Sequence, residues 1–186
     1  SLGDVDAILV SGDIAFKGHV SEYDAAKKWL ERLAAKVGCK KQRIYVVPGN
    51  HDVDRGVFQK VGGARNAVEM ISKAGDNDAR EKELNNQLSL ADSAENMFAP
   101  IAAYNLFAAK YDCQSTPDRL RWKQKLRLNQ HTVLMLHGLN SCIVSGIPGN
   151  DETPGKLYMG ARQLNVPRAD GTVNLVMAHH PPDWMS

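Results

Sequence analysis

Residues 43–52 read Arg-Ile-Tyr-Val-Val-Pro-Gly-Asn-His-Asp. The apolar run Ile44 to Val47 passes without a spacer into a Pro48-Gly49 turn pair, and then into an amide, an imidazole and a carboxylate. A short apolar run bounded by turn residues reads as a strand buried on both faces. Polar side chains directly after such a strand lie at its carboxyl end, where open α/β sheets bind their ligands. The stretch therefore predicts an α/β fold with a site at a strand end.

Upstream, residues 5–10 (Val-Asp-Ala-Ile-Leu-Val) form a second apolar run, expected to be buried on both faces, that ends in Ser11-Gly12-Asp13. Between the two runs, Tyr23, Ala26, Trp29, Leu30, Leu33, Ala34 and Val37 recur at helical spacing. Ser21 with Glu22 and Asp24 marks the helix start, Gly38 marks its stop, and the Trp29 stripe is expected in the core. Strand, helix and strand make a βαβ unit, which crosses over right-handed in a parallel sheet. The strand pattern resumes at Thr132 to Leu136 and at Val173 to Ala178, with a loop over 145–155 that holds three glycines and two prolines.

From Val57 the character changes, with Ala, Glu, Lys, Asn and Leu prevailing and Leu84, Leu88, Met97, Ile101, Leu106 and Phe107 at loose helical intervals. Two or three helices are expected, broken near Gly75-Asp76-Asn77 and at Pro100. Residues 1–56 and 131–186 thus read as the core, and 57–130 as an inserted helical cap. No internal repeat or low-complexity tract interrupts this order.

At 186 residues the chain fits one domain with a substantial core. Its 43% apolar and 24% charged content excludes disorder, collagen and coiled coil. The net charge of +2 allows a nucleic-acid partner but supplies no basic footprint that demands one. Cys39, Cys113 and Cys142 fit neither a CxxC nor a Cys/His pattern and read as buried thiols in a reducing, cytoplasmic setting. No stretch reaches the ~20 apolar residues of a membrane span. The chain opens on Ser1 and stops at Ser186 just after a motif, so its ends look cut and further domains of a larger parent chain are expected.

Three strands end in related chemistry: Gly12-Asp13, Gly49-Asn50-His51-Asp52 and His179-His180-Pro181-Pro182. Parallel strands would carry Asp13, Asn50, His51 and His179 to one rim. Carboxylate, amide oxygen and imidazole together suit a borderline divalent ion such as Mn, Fe, Zn or Co. Asp13 taken alone also reads as a turn cap, and Asn50 and Asp52 as tight-turn residues.

Ser-Gly-Asp-Ile-Ala-x-x-Gly (Ser11 to Gly18), Pro-Gly-Asn-His-Asp (Pro48 to Asp52) and His-His-Pro-Pro (His179 to Pro182), in this order, resemble the motifs of the calcineurin-like metallophosphoesterase superfamily. Gly138-Leu139-Asn140-Ser141 resembles a segment of its bacterial phosphodiesterase members. The resemblance implies a four-layer α/β/β/α sandwich with two divalent metal ions at one sheet edge, roughly 3.5 to 4 Å apart. Carried over, Asp13 would bridge both ions while Asn50 and His179 bind the second. His51 would act as general acid or charge stabiliser, with Asp52 orienting its ring. The reaction implied is hydrolysis of a phosphate ester, a cyclic nucleotide or other small diester before a nucleic acid, by a hydroxide bridging the metals. The family's upstream Asp-x-His and downstream Gly-His-x-His do not occur within these residues, which leaves open a catalytically inactive scaffold or regulatory domain.

Around that centre, Arg55, Lys17 and Arg162 are candidate phosphate contacts. His137 and His180 are candidate substrate-facing residues. His137 at a strand end also reads as a satisfied sheet histidine, His180 as a packing residue, and His19 as a solvated turn residue.

Overall fold

The computed structural model describes residues 4–147 and 153–185. Part of the loop expected over 145–155, residues 148–152, lies outside them. Strand β1 (Ile8–Val10) runs parallel to β2 (Ile44–Val46), joined by helix α1 (Val20–Lys36). The helix buries Tyr23, Leu30 and Ala34. Gly38 ends it as its position predicts: φ is +69° there, and the Cys39 N–H donates back to Ala34 O at 2.9 Å.

Two expectations for this unit need correction. Trp29 is 55% exposed, on the flank of α1, where it lines a groove with Val10, Asp13 and Ile14 instead of joining the core. Strand β1 is not buried on both faces, since Leu9 is 42% exposed while all of β2 is buried. Among the described residues β1 is the edge of a two-stranded sheet, so only β2 covers its flank.

The second sheet has the order β3-β4-β5, with β3 (Arg121–Arg127) antiparallel to β4 (Val133–Leu139) and β4 parallel to β5 (Thr172–Met177). Strand β3 falls inside residues 57–130, which the sequence pattern assigned to an inserted helical cap with no strand of its own. Trp122, Gln124 and Leu126 turn inward and Lys123, Lys125 and Arg127 outward, the period-two pattern of a half-exposed strand. The preceding region does hold helices, five among the described residues: α2 (Val57–Lys60), α3 (Gly62–Lys73), α4 (Asn77–Ser89), α5 (Ala91–Phe98) and α6 (Ala102–Ala108). Asp76 caps α4 by accepting from Ala79 N at 2.8 Å, and Pro100 sits in the tight turn between α5 and α6. A seventh, one-turn helix, α7 (Ala161–Leu164), precedes β5.

The molecule is therefore α/β, two sheets with helices packed on them. The helices after β2 share its hydrophobic core through Val68, Ile71, Leu84, Phe98, Tyr104 and Phe107. Both halves meet at one carbonyl. Val46 O accepts the Trp122 Nε1–H from β3 at 2.9 Å and the Tyr104 hydroxyl from α6 at 3.1 Å. The Trp122 indole lies so close under Gly138 of β4 that a Cβ there would overlap it. All three cysteines are buried and none forms a disulfide. Among the described residues no helix is long and apolar enough to cross a membrane.

Candidate metal centre

The turns after β1, β2 and β5 bring their polar residues together, and two glycines permit the approach. Gly12 has φ +102°, and a Cβ on it would lie 2.6 Å from His179 Nδ1. A Cβ on Gly49 would overlap Asp13. Asp13 itself holds a φ of +53°, a left-handed conformation uncommon for a side-chain-bearing residue and often found at functional sites.

His179 Nδ1 lies 2.8 Å from Ser11 O. A carbonyl only accepts, so Nδ1 carries the proton and Nε2 of the neutral ring presents a lone pair. That Nε2 is 3.1 Å from Asn50 Oδ1 and 3.4 Å from Asp13 Oδ1. Three acceptors thus converge with no proton among them unless the ring is charged, and a cation satisfies such a set. Fixing one ring nitrogen on a backbone carbonyl is also how metal-binding histidines are oriented. Asp13, Asn50 and His179 fit one divalent ion. Among the described residues no group of three or more His, Cys, Asp or Glu side chains assembles; the Asn50 amide completes this set, and a second ion would have Asp13 as its partner here.

Asn50, His51 and Asp52 occupy one 3-10 turn. Successive side chains in such a turn point about 120° apart, so the three face three directions. Asn50 faces His179. The His51 N–H donates to Asp13 Oδ1 at 3.1 Å, while its ring Nδ1 lies 2.9 Å from Phe16 O and the ring stacks on Phe16 at 5.3 Å and 19°. Asp52 points inward with no exposed surface.

The expected role of Asp52 is thereby corrected: the Phe16 carbonyl orients the His51 ring, and Asp52 ties two turns together. Its carboxylate accepts from Gly49 N (2.8 Å), Ala15 N (2.9 Å), Ile14 N (3.2 Å) and the Tyr23 hydroxyl (2.9 Å). Burial pushes its pKa above the ordinary 3.8, and these donors pull the other way. Burial, reinforced by Asp52, raises the Tyr23 hydroxyl well above its usual range, so it remains a donor.

Beside His51 opens a cleft of about 370 Å³ lined by Phe16, Lys17, His19, Asn50, His51 and Arg55, among others. Lys17 and Arg55 thus stand where candidate phosphate contacts are needed, and His19 joins them. Arg162 lies elsewhere, in α7 beside Glu81. His137 is 2% exposed, its Nε2 bonded to Asn174 Oδ1 at 2.9 Å within the sheet, so it does not face substrate. His180 is buried as well, with Nδ1 2.9 Å from Ser141 Oγ and its ring stacked on Trp184 and edge-on to His179. It props up His179 and does not touch the cleft.

Sequence reasoning gave Phe16 no site role, and read Glu22 and Tyr23 only as helix residues and Ser141 only as part of the Gly138 to Ser141 segment. Glu22 had a readable signal, three residues after His19 as in a capping box. Its carboxylate accepts the N–H groups of Phe16, Lys17 and His19 at 3.2, 3.1 and 2.9 Å. Phe16 offered a weaker one, an aromatic outside any helical or strand period.

Across residues 1–186 the sequence matches the family described as calcineurin-like phosphoesterase, whose members use two divalent metal ions. It is similar to an uncharacterized metallophosphoesterase-like protein of Bacillus subtilis (strain 168), YydB, at 27% identity over 187 residues, which cover 95% of this chain and 35% of that protein. The chain thus spans about a third of the length of this relative. No solved structure matches it. With the family matched from end to end, and with Asp13, Asn50 and His179 meeting at one edge, the chain belongs to the calcineurin-like phosphoesterases.

Proposed function

We propose that this chain is the core of a metal-dependent hydrolase acting on a small phosphodiester. The observation that carries the reading is the meeting of His179 Nε2, Asn50 Oδ1 and Asp13 Oδ1, a mixed donor set that suits Mn, Fe, Zn or Co. When bound, such ions polarise a phosphoryl oxygen and make hydroxide available near neutral pH. Lys17 and Arg55 attract and orient the anionic ester. With Nδ1–H committed to Phe16 O, a protonated His51 donates its second proton from Nε2 to the leaving-group oxygen.

The cleft size and the net charge of +2 support a small diester over a nucleic-acid strand, which calls for a basic track. The buried thiols agree with a cytoplasmic setting. Further ligands for a second ion would come from other parts of a larger parent protein.

Hydrolysis of bis(p-nitrophenyl) phosphate by the full-length protein in Mn²⁺ tests this reading. Asp13→Asn and His51→Ala are each expected to lower kcat by about 10²-fold or more, and His179→Ala to reduce bound metal in elemental analysis. Undiminished turnover in both of the first two variants would overturn the assignment, whereas wild-type protein that binds metal without hydrolysis would favour the scaffold.

A further inference from the structure

Phe16 is 69% exposed, yet its loop is tightly held. Three consecutive non-glycine amides of that loop, at Phe16, Lys17 and His19, are taken by Glu22, and the Phe16 carbonyl is taken by His51. The ring rests nearly parallel on the His51 imidazole, with the remainder in the water of the cleft. A large apolar ring fixed in solvent leaves the hydrophobic gain of covering it uncollected. Its position also matters: the ring it leans on is the proton donor assigned above, so a group stacked on Phe16 is one short linker away from the reacting phosphorus.

We infer that Phe16 determines specificity by receiving a planar aromatic group of the ester, and that the substrate is a nucleotide whose base covers this ring. The inference rests on the phosphoesterase reading and deepens it. Among phosphate esters, nucleotides place a flat π-system one sugar away from phosphorus, which matches a platform adjoining the proton donor. A cleft of about 370 Å³ admits such a group. Lys17, His19 and Arg55 on the same walls serve the phosphate end. An aliphatic or sugar ester would fill the phosphate end and leave the ring uncovered.

The test compares two probes that differ only by the base, adenosine 5′-monophosphate and ribose 5-phosphate, by calorimetric titration of the full-length Mn²⁺-loaded protein. Wild type is expected to bind the nucleotide about tenfold or more tightly, within the range for loss of one base–aromatic stack. Phe16→Leu should erase that advantage and leave ribose 5-phosphate unchanged, and Phe16→Trp should keep it. Ring-current shifts of the adenine protons by NMR, lost in Phe16→Leu alone, give a readout independent of turnover. Equal binding of both probes by wild type would overturn the inference while leaving the phosphate site standing. Equal weakening of both probes in Phe16→Leu would also overturn it, showing that the ring acts only through His51. If neither probe binds, the inference falls, and hydrolysis of bis(p-nitrophenyl) phosphate by the same protein decides separately whether the phosphoesterase reading stands.

Discussion

Asp52 carries the argument at the scale of one residue. Its carboxylate gathers donors from the turn after β1, from the turn after β2 and from α1, and the bonds from Ala15 N, Gly49 N and the Tyr23 hydroxyl are buried. Leaving a buried donor without its acceptor costs about 1–3 kcal/mol per group. Asp52→Ala is therefore expected to lower the unfolding free energy in urea by about 3 kcal/mol or more, and Tyr23→Phe, which deletes one donor cleanly, by about 1 kcal/mol. A loss well under 1 kcal/mol in Asp52→Ala would show that the two turns are held by something else. Sequence order showed that Asn50, His51 and Asp52 matter, and Asp13, Asn50 and His179 meet as the strand ends predicted. It did not show direction, because neighbours in a 3-10 turn diverge by about 120°, and so the partner of the His51 ring was assigned to the wrong side chain.

At the scale of elements, the loop over residues 16–19 depends on the first turn of α1. Burial alone would raise the Glu22 pKa, but the N–H groups of His19, Lys17 and Phe16 outweigh it and hold the group below its ordinary 4.5. A depressed carboxylate pKa stabilises the folded loop above pH 4.5, and that contribution disappears as pH falls through the folded value. The ¹⁵N shifts of Phe16, Lys17 and His19 are expected to titrate together below pH 4.5 in the wild type and to lose that common step in Glu22→Gln. Independent or absent titration would separate the loop from the helix. Elements differ in how legible they were for comparable reasons. The βαβ unit and the breaks at Asp76 and Pro100 follow from local pattern. Strand β3 was missed because Lys123, Lys125 and Arg127 look like the solvent face of a helix when the alternation of Trp122 and Leu126 beneath them is not weighed. The exposure of β1 could not be read at all, since it depends on what lies beside the strand in space.

For the whole molecule, the proposed metal site is a product of how the two sheets dock. Asp13 and Asn50 come from the first sheet and His179 from the second, while Trp122 and Tyr104 clamp Val46 O two residues before the Pro48 turn that presents Asn50. Trp122→Phe keeps most of the ring volume but removes the N–H, so it is expected to cost about 1–2 kcal/mol. An ion that binds only the docked arrangement stabilises it by mass action, about 2.7 kcal/mol at a hundredfold excess over Kd. Addition of Mn²⁺ should then raise the melting temperature of the full-length protein. The rise should vanish in Asp13→Asn, which weakens the ligand set, and persist from a lower baseline in Trp122→Phe, which loosens the clamp and leaves the ligands intact. An equal rise in wild type and Asp13→Asn would mean that the cation acts elsewhere on the surface, and the two sheets would then have no shared ligand to account for the geometry of their meeting edge.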